Sequence, residues 1–348
     1  MNSDKITAAD RKFREPGFWE TLKETFLGVR RPFDCIQVEV TSRCPGRCTY
    51  CPRTVLNVDW LDRDMDWDTF VRLWPLMRRS ARVHLQGWGE PLLNPLFFDM
   101  AALARRAGCN VSTTTGGLLM TPQSARRIVD SGIDIVAFSL AGTDPAGNAP
   151  RRGLDFEKVC RAITLLQAVR QKRVGVHLEI HIAYLLLASN LNAVRRLPDL
   201  MKQLGVHAAV ISTLDYLPDS KLAGEAFGPQ EIEKLSRAAA VLEATAVRAR
   251  EWGLGFHYEL PDAGAAGAGC RENIQRSVFV SAGGSVSPCV YVNVPVSCPD
   301  PNRRIFGNVR EQDPVEIWES EAFRDFRDRL DRGDPAPPCR VCPKRMMK

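Results

Sequence analysis

The stretch CIQVEVTSRCPGRCTYC, residues 35–51, sets a strand pattern directly against a cysteine-dense loop. Ile36, Val38 and Val40 alternate with Gln37 and Glu39, the period of two that marks a strand with unlike faces. Just beyond it, Cys44, Cys48 and Cys51 stand in a C-x3-C-x2-C spacing. Three thiolates on so tight a loop suit an iron–sulfur cluster, because four cysteines would saturate a 4Fe-4S cube and three leave one iron open to a further ligand. A zinc loop is the plain alternative. Structural zinc sites usually take four ligands in paired C-x2–4-C units, and no fourth ligand lies nearby in the sequence.

Outward from this loop the chain keeps one rhythm. Trp67, Phe70, Val71 and Trp74 fall at i, i+3, i+4 and i+7, one face of a helix. Further strands are predicted at Arg82 to Leu85, Asn110 to Thr114, Ile133 to Leu140, Val176 to Tyr184 and Ala208 to Ser212, with helices near 96–107, 122–131, 156–171 and 191–204. End signals support them: Thr121 before Pro122, Asn190 as an N-cap, and Gly108, Gly132 and Gly205 just past helix ends. Six strands, each followed by a helix, predict an α/β fold in which a parallel sheet curls into a partial (β/α)6 TIM-like barrel. Functional residues then belong at the C-terminal ends of the strands.

The rhythm breaks after the sixth strand. Asp215 to Gly228 reads as a loop and about 229–252 as a helix, and the run Gly264 to Gly269 reads as a connector, since a phosphate loop would need a strand before it and a helix after it. Ser277 to Val280 and Val290 to Val294 flank Gly283-Gly284 as a hairpin, and a helix near 314–331 precedes the tail. The expected division is an N-terminal helical segment, 1–34, with Phe18, Trp19, Leu22 and Phe26 packed on the barrel; the barrel, 35–255; and a small auxiliary domain, 256–348.

Composition bounds the function. A length of 348 residues allows roughly two domains at about 150 residues each, and 45% apolar with 25% charged residues excludes a mostly disordered or collagenous chain. A net charge of +6 falls short of the dense basic face of a nucleic-acid binder. The first residues lack the apolar run of a signal peptide, and the longest apolar run, Ile182 to Ala188, is far below the ~18 residues of a membrane span. A cytoplasmic protein without membrane or nucleic-acid partners is expected. Eleven cysteines, an odd number, point to metal binding or reactivity rather than a disulfide framework.

The barrel motifs together resemble the radical S-adenosylmethionine (SAM) superfamily, whose signature is a C-x3-C-x-aromatic-C loop after the first strand. Tyr50 holds the aromatic position, which in the family lies near the adenine. Trp88-Gly89-Glu90-Pro91 is similar to the family's G-G-E-P segment, which holds the methionyl amino group, with Trp88 in place of the first glycine. Thr115-Gly116-Gly117 resembles its T-N-G, Ser139 matches the ribose-contacting position, and Arg151-Arg152 falls where related enzymes place an arginine. Asn190 also fits related sequences, although capping explains it equally well. The resemblance implies a 4Fe-4S cluster on Cys44, Cys48 and Cys51, with SAM bound by Tyr50, Gly89, Glu90, Pro91, Ser139 and Arg152. It also implies reductive cleavage to a 5'-deoxyadenosyl radical and a flavodoxin- or ferredoxin-type electron donor.

Cys270, Gly284, Cys289, Cys339 and Cys342 resemble the Twitch auxiliary-cluster domain, the smaller relative of the SPASM domain, and imply a second 4Fe-4S cluster. The segment Phe306 to Val309 with Ile317-Trp318 looks like the same domains. The larger SPASM pattern needs a cysteine where Lys348 stands, so a further cluster would have to recruit Cys298. A four-thiolate zinc ribbon is the alternative, although the long first spacing favours iron–sulfur. Cys35, Cys109 and Cys160 read as small apolar fillers.

Along the fifth strand Glu179, His181 and Tyr184 are candidate bases or substrate ligands, with Asp215 and Tyr216 as similar candidates; the bland reading of each is a hydrogen-bonded barrel residue. Four cysteines saturate the second cube and suit it to carrying electrons, so the expected reaction is a net two-electron oxidation of a small molecule or peptide. The alternatives are a peptide, protein or cofactor maturase, an epimerase, or a redox-neutral rearrangement. A non-catalytic zinc or iron–sulfur protein is the rival from another class.

Overall fold

The computed structural model describes residues 31–261, 269–298 and 300–345. The expected N-terminal helix with Phe18, Trp19, Leu22 and Phe26, and nearly all of the glycine-alanine connector, lie outside these residues.

Among the described residues a single sheet of ten strands organises the molecule, in the order β10-β9-β8-β1-β2-β3-β4-β5-β6-β7. The barrel strands are β1 (Cys35–Val38), β2 (Arg82–Leu85), β3 (Asn110–Thr115), β4 (Ile135–Leu140), β5 (Glu179–Leu186) and β6 (Ala208–Thr213), each paired in parallel with the next. Helices follow them in turn: α1 (Trp67–Val71), α2 (Phe97–Arg106), α3 (Pro122–Asp130), α4 (Phe156–Gln171), α5 (Leu197–Leu204) and α6 (Ile232–Glu251). This is the α/β partial barrel expected from the pattern.

Alternation decides which face meets the helices. Ile36 and Val38 on β1, Val136, Phe138 and Leu140 on β4, and Ile180, Ile182, Tyr184 and Leu186 on β5 are buried in one continuous core. Their neighbours Gln37, Ser139, Glu179 and His181 are half-buried on the opposite face. The helix ends follow their signals. Thr121 caps α3 with a reciprocal box to Ser124, and Gly108, Gly132 and Gly205 take positive φ of 85°, 75° and 65°.

The structure departs from expectation at several places, and the helix expected across Trp67 to Trp74 stops at Val71, with Trp74 opening a separate turn, Trp74–Met77. A seventh parallel strand, β7 (Gly255–Tyr258), extends the sheet beyond β6, so the boundary at 255 falls inside it. Residues 188–196 form a 3₁₀ stretch before α5, whose second residue, Pro198, has no amide to donate to the preceding turn. β8 (Ser277–Val280) pairs with β9 (Ser285–Ser287), not with Val290 to Val294: Gly284, at φ 86°, closes the turn early, and Val290–Val292 becomes a 3₁₀ turn. The C-terminal helix divides at Ser320, whose hydroxyl accepts from Phe323 N–H, giving α7 (Pro314–Glu319) and α8 (Glu321–Asp331).

β8 runs parallel to β1, with Cys35 opposite Ser277 and Val38 opposite Val280, and β10 (Gly307–Asn308) adds to β9. Through β8, β9 and β10 the barrel sheet therefore continues into residues 277–308. Among the described residues no helix is long and apolar enough to cross a membrane.

Candidate active site

Cys44, Cys48 and Cys51 leave the C-terminal end of β1 on a loop braced by residues about a hundred positions away. Arg47 N–H donates to Arg152 O at 2.7 Å, and Thr49 N–H donates to Pro150 O at 2.9 Å. Within the loop, Gly46 N–H donates to Cys44 Sγ at 3.4 Å, and Cys51 N–H to Cys48 O at 3.1 Å. Burial pushes the Cys44 thiol up to about 11 and the Cys51 thiol up to about 12, and the neighbouring cysteines add to both shifts. Buried thiols on one loop disfavour the free anion, and coordination to metal is what removes such protons.

Arg151, rather than Arg152, sets a buried guanidinium against this loop. Its side chain is buried, Nη1 donates to Tyr50 Oη at 3.4 Å, and its charge acts on Cys44 and Cys48. Arg152 is exposed and contributes its carbonyl. The dipeptide gave no signal to choose between them, because the choice depends on which side of the turn faces Tyr50.

The turns after β2 and β3 are locked together by Glu90. Its buried carboxylate accepts from Thr115 Oγ1 at 2.7 Å, Gly116 N–H at 2.6 Å and Leu92 N–H at 3.4 Å. Burial raises this carboxyl and those donors pull it back. Protein groups therefore occupy the carboxylate, and the main chain of this turn is partly engaged as well: Glu90 N–H donates to Arg43 O at 2.8 Å, and the Glu90 and Pro91 carbonyls accept from Leu93 and Asn94 N–H. Gly89 is required sterically, since a Cβ there would lie 2.1 Å from Thr41 O.

Ser139 lies one residue from the end of β4 on the half-buried face, opposite Ala183. His181 and Glu179 share that face, with His181 Nε2 at 2.7 Å from Glu179 Oε2. Both sit low on β5: His181 pairs with Ala137, one inward position below Ser139, about 7 Å along the strand. Tyr184 does not join them. An even position sends its ring into the helix-packed core at 1% exposure, with its hydroxyl unpaired. Asn190 is no N-cap either. It is buried inside the 3₁₀ stretch, where its Oδ1 accepts from Leu187 N–H and its Nδ2 donates to Ala141 O.

The second cysteine set faces a single cavity. Cys270, Cys289, Cys339 and Cys342 all line one cavity of about 180 Å³, against Ile274 and Phe326. Burial pushes Cys270 up to about 12 and Cys339 up to about 11. Four thiols lining one cavity fit a four-cysteine cluster. Among the described residues no three His, Cys, Asp or Glu side chains are placed to hold a single ion, and the ligands of a cube, each on its own iron, need not be. Cys298 is exposed and outside the cavity lining.

Sequence reasoning missed what ties the two sites together. Lys344 reaches Asp215, just past β6, at 3.0 Å and Glu272 at 3.7 Å. Trp88, Tyr216 and Tyr291 bring their rings within 5.8–6.4 Å of one another. Tyr216 and Tyr291 also line the four-cysteine cavity.

Comparison with known proteins agrees with this geometry. The radical SAM superfamily profile matches residues 38–186, and the profile of the SPASM iron–sulfur cluster-binding domain matches 270–343. A PqqA peptide cyclase from Streptomyces rochei is 25% identical over 322 residues, covering 88% of this chain and 81% of that protein. An AdoMet-dependent heme synthase from Methanosarcina barkeri is 26% identical over 326 residues, 83% of each chain. The chain spans about half, 51%, of a tungsten-containing aldehyde ferredoxin oxidoreductase cofactor-modifying protein from Pyrococcus furiosus, at 25% identity and with 51% of this chain covered. Among solved structures, the fold is shared with anSMEcpe bound to AdoMet, at TM-score 0.63 and 18% identity over 89% of this chain and 88% of that one. It is also shared with Streptococcus suis SuiB bound to its precursor peptide SuiA, at TM-score 0.63 and 13% identity over 93% and 73%. These domains carry a SAM-binding 4Fe-4S cluster, an auxiliary iron–sulfur cluster and SAM. The cysteine loop on β1, most of the partial barrel and the four-cysteine cavity fall within these two matches, so the chain carries a radical SAM domain over residues 38–186 and, C-terminal to it, a SPASM iron–sulfur cluster-binding domain over 270–343.

Proposed function

We propose that the protein catalyses a net two-electron oxidation of a peptide side chain, with the auxiliary cluster as the electron acceptor. The observation that carries this reading is the convergence of Cys270, Cys289, Cys339 and Cys342 on one cavity, because a cube with four protein ligands has no open iron for substrate. When bound, the clusters and SAM supply the 5'-deoxyadenosyl radical that abstracts hydrogen and the site that receives an electron.

The chain's own residues do the rest. Cys44, Cys48 and Cys51 hold the first cluster; Tyr50, the main chain of residues 89–91 and Ser139 face SAM; and Arg151 supplies the cation assigned from sequence to Arg152. His181, oriented by Glu179, takes the proton. A two-electron oxidation would balance as one hydrogen atom leaving a substrate C–H bond, one proton accepted by His181 and one electron whose acceptor would be held by Cys270, Cys289, Cys339 and Cys342. A flavodoxin- or ferredoxin-type protein supplies the electron that starts the cycle. The PqqA peptide cyclase likeness over most of the chain supports a peptide substrate. The heme synthase likeness keeps a small molecule as the second reading.

The test pairs Cys339→Ala with Cys342→Ala. The double variant is expected to keep slow, substrate-independent formation of 5'-deoxyadenosine under dithionite. It should form no product two hydrogens lighter than the candidate peptide. A wild-type product isomeric with its substrate, or regeneration of SAM, would refute the oxidation.

A further inference from the structure

Glu39 is a carboxylate without solvent exposure that no step above uses. It stands one residue past β1. Its Oε1 accepts Trp88 N–H at 3.0 Å, and its Oε2 accepts Ala282 N–H at 3.1 Å. Trp88 opens the turn that continues into residues 89–91, while Ala282 lies in the turn between β8 and β9 of the auxiliary region. The main chain repeats the link, with Glu39 N–H donating to Val280 O at 2.9 Å. The turn closes directly over the side chain: a Cβ on Gly87 would lie 2.5 Å from Glu39 Cβ.

Such a residue is costly to keep. Burial pushes the carboxyl up to about 7, and the two backbone amides are what oppose that shift. An apolar side chain would fill the space without this penalty. What it could not supply is two acceptor oxygens, each taken by a backbone donor of a different domain. Loss of either oxygen leaves a buried N–H unpaired.

We infer that Glu39 is a positioning residue that couples the turn at 88–91 to the auxiliary-domain turn at 281–284, so that SAM binding at one is felt at the other. The inference rests on the assignment of residues 89–91 to SAM. Linkage makes the coupling reciprocal, so anything that frees the auxiliary turn weakens SAM binding by the same factor.

The experiment is hydrogen-exchange mass spectrometry on cluster-loaded protein with and without SAM. In the wild type, SAM is expected to slow exchange in the peptide covering 84–93 and also in the one covering 277–287. In Glu39→Gln the amide presents an NH2 to one of the two N–H donors. SAM affinity by equilibrium dialysis should fall roughly tenfold, in line with loss of one hydrogen bond to a charged group. The response at 277–287 should vanish, with iron retained at both sites. Wild-type protection at 84–93 without any at 277–287 overturns the inference alone. SAM bound without protection at 84–93 overturns the SAM assignment as well. A variant that melts lower yet keeps its SAM affinity and its response at 277–287 reduces Glu39 to packing. If Glu39→Gln does not fold, the wild-type measurements decide.

Discussion

Cys44, Cys48 and Cys51 come from one loop of eight residues, whereas Cys270, Cys289, Cys339 and Cys342 come from three separate stretches of chain. The first set is placed by local backbone and by the brace from Pro150 and Arg152. The second is placed by a small core of Ile274, Phe326, Leu330 and Ala336, against which Cys270, Cys289 and Cys339 pack. A local site depends on a turn; a dispersed site depends on the fold that gathers it. The two should therefore fail independently and in different ways.

The largest effect follows from removing the local set. Cys44→Ala, Cys48→Ala and Cys51→Ala together should take iron from about eight to about four per chain, if both clusters are cubes, and abolish 5'-deoxyadenosine formation. The auxiliary cluster's electronic absorption should persist. Loss of all iron from a protein with native circular dichroism would show that the two sets are not separate.

The same contrast explains what the sequence made legible. Period-two alternation and glycine stops located β1 to β6 closely, because each signal is local: Arg82–Leu85 lies where the alternation put it. The cysteine spacings worked for a related reason, since ligand geometry constrains them. What escaped depended on packing between distant elements. β7 stands at the sheet edge and buries none of its residues fully, so it lacks the apolar alternation of the inner strands, and β9 has only three residues, starting directly after the left-handed Gly284. Tyr184 was grouped with Glu179 and His181 by position on the strand, yet its parity sends it to the other face. Glu39 carried a usable signal, an acidic residue of inward parity directly before the cysteine loop, but its two donors lie 49 and 243 residues away.

A cavity in the gathering core tests the dispersed site more gently. Leu330, on α8, is 3% exposed within that core, so Leu330→Ala should cost about 2–4 kcal/mol there. Auxiliary iron should fall to partial occupancy while 5'-deoxyadenosine formation continues. Leu166→Ala, a wholly buried site on α4, should cost a similar amount yet leave the ratio of iron between the two sites unchanged in the folded fraction. Equal losses of auxiliary iron in both variants would mean that the second site tracks global stability rather than its own core.

The smallest expected effect concerns charge rather than occupancy. Arg151 sets a buried cation against Tyr50, Cys44 and Cys48, and a positive charge beside a cluster favours its reduced, more negative state. Beside the auxiliary cysteines Lys344 is answered by Asp215 and Glu272, so its charge is already compensated. Arg151→Gln should lower the midpoint potential of the first cluster by on the order of tens of millivolts, the scale of a Coulomb interaction at an effective dielectric constant of about 20. Deoxyadenosine formation at a fixed reductant potential should slow accordingly, while the auxiliary potential stays in place. Arg152→Gln is the control. Its side chain is exposed and water screens it, and the bond it gives the cysteine loop comes from its carbonyl, which the substitution keeps. Redox titration followed by electron paramagnetic resonance reads both clusters at once. Equal shifts from the two arginines, or a shift at the auxiliary cluster from Arg151→Gln, would show that overall charge and not the buried contact sets the potential.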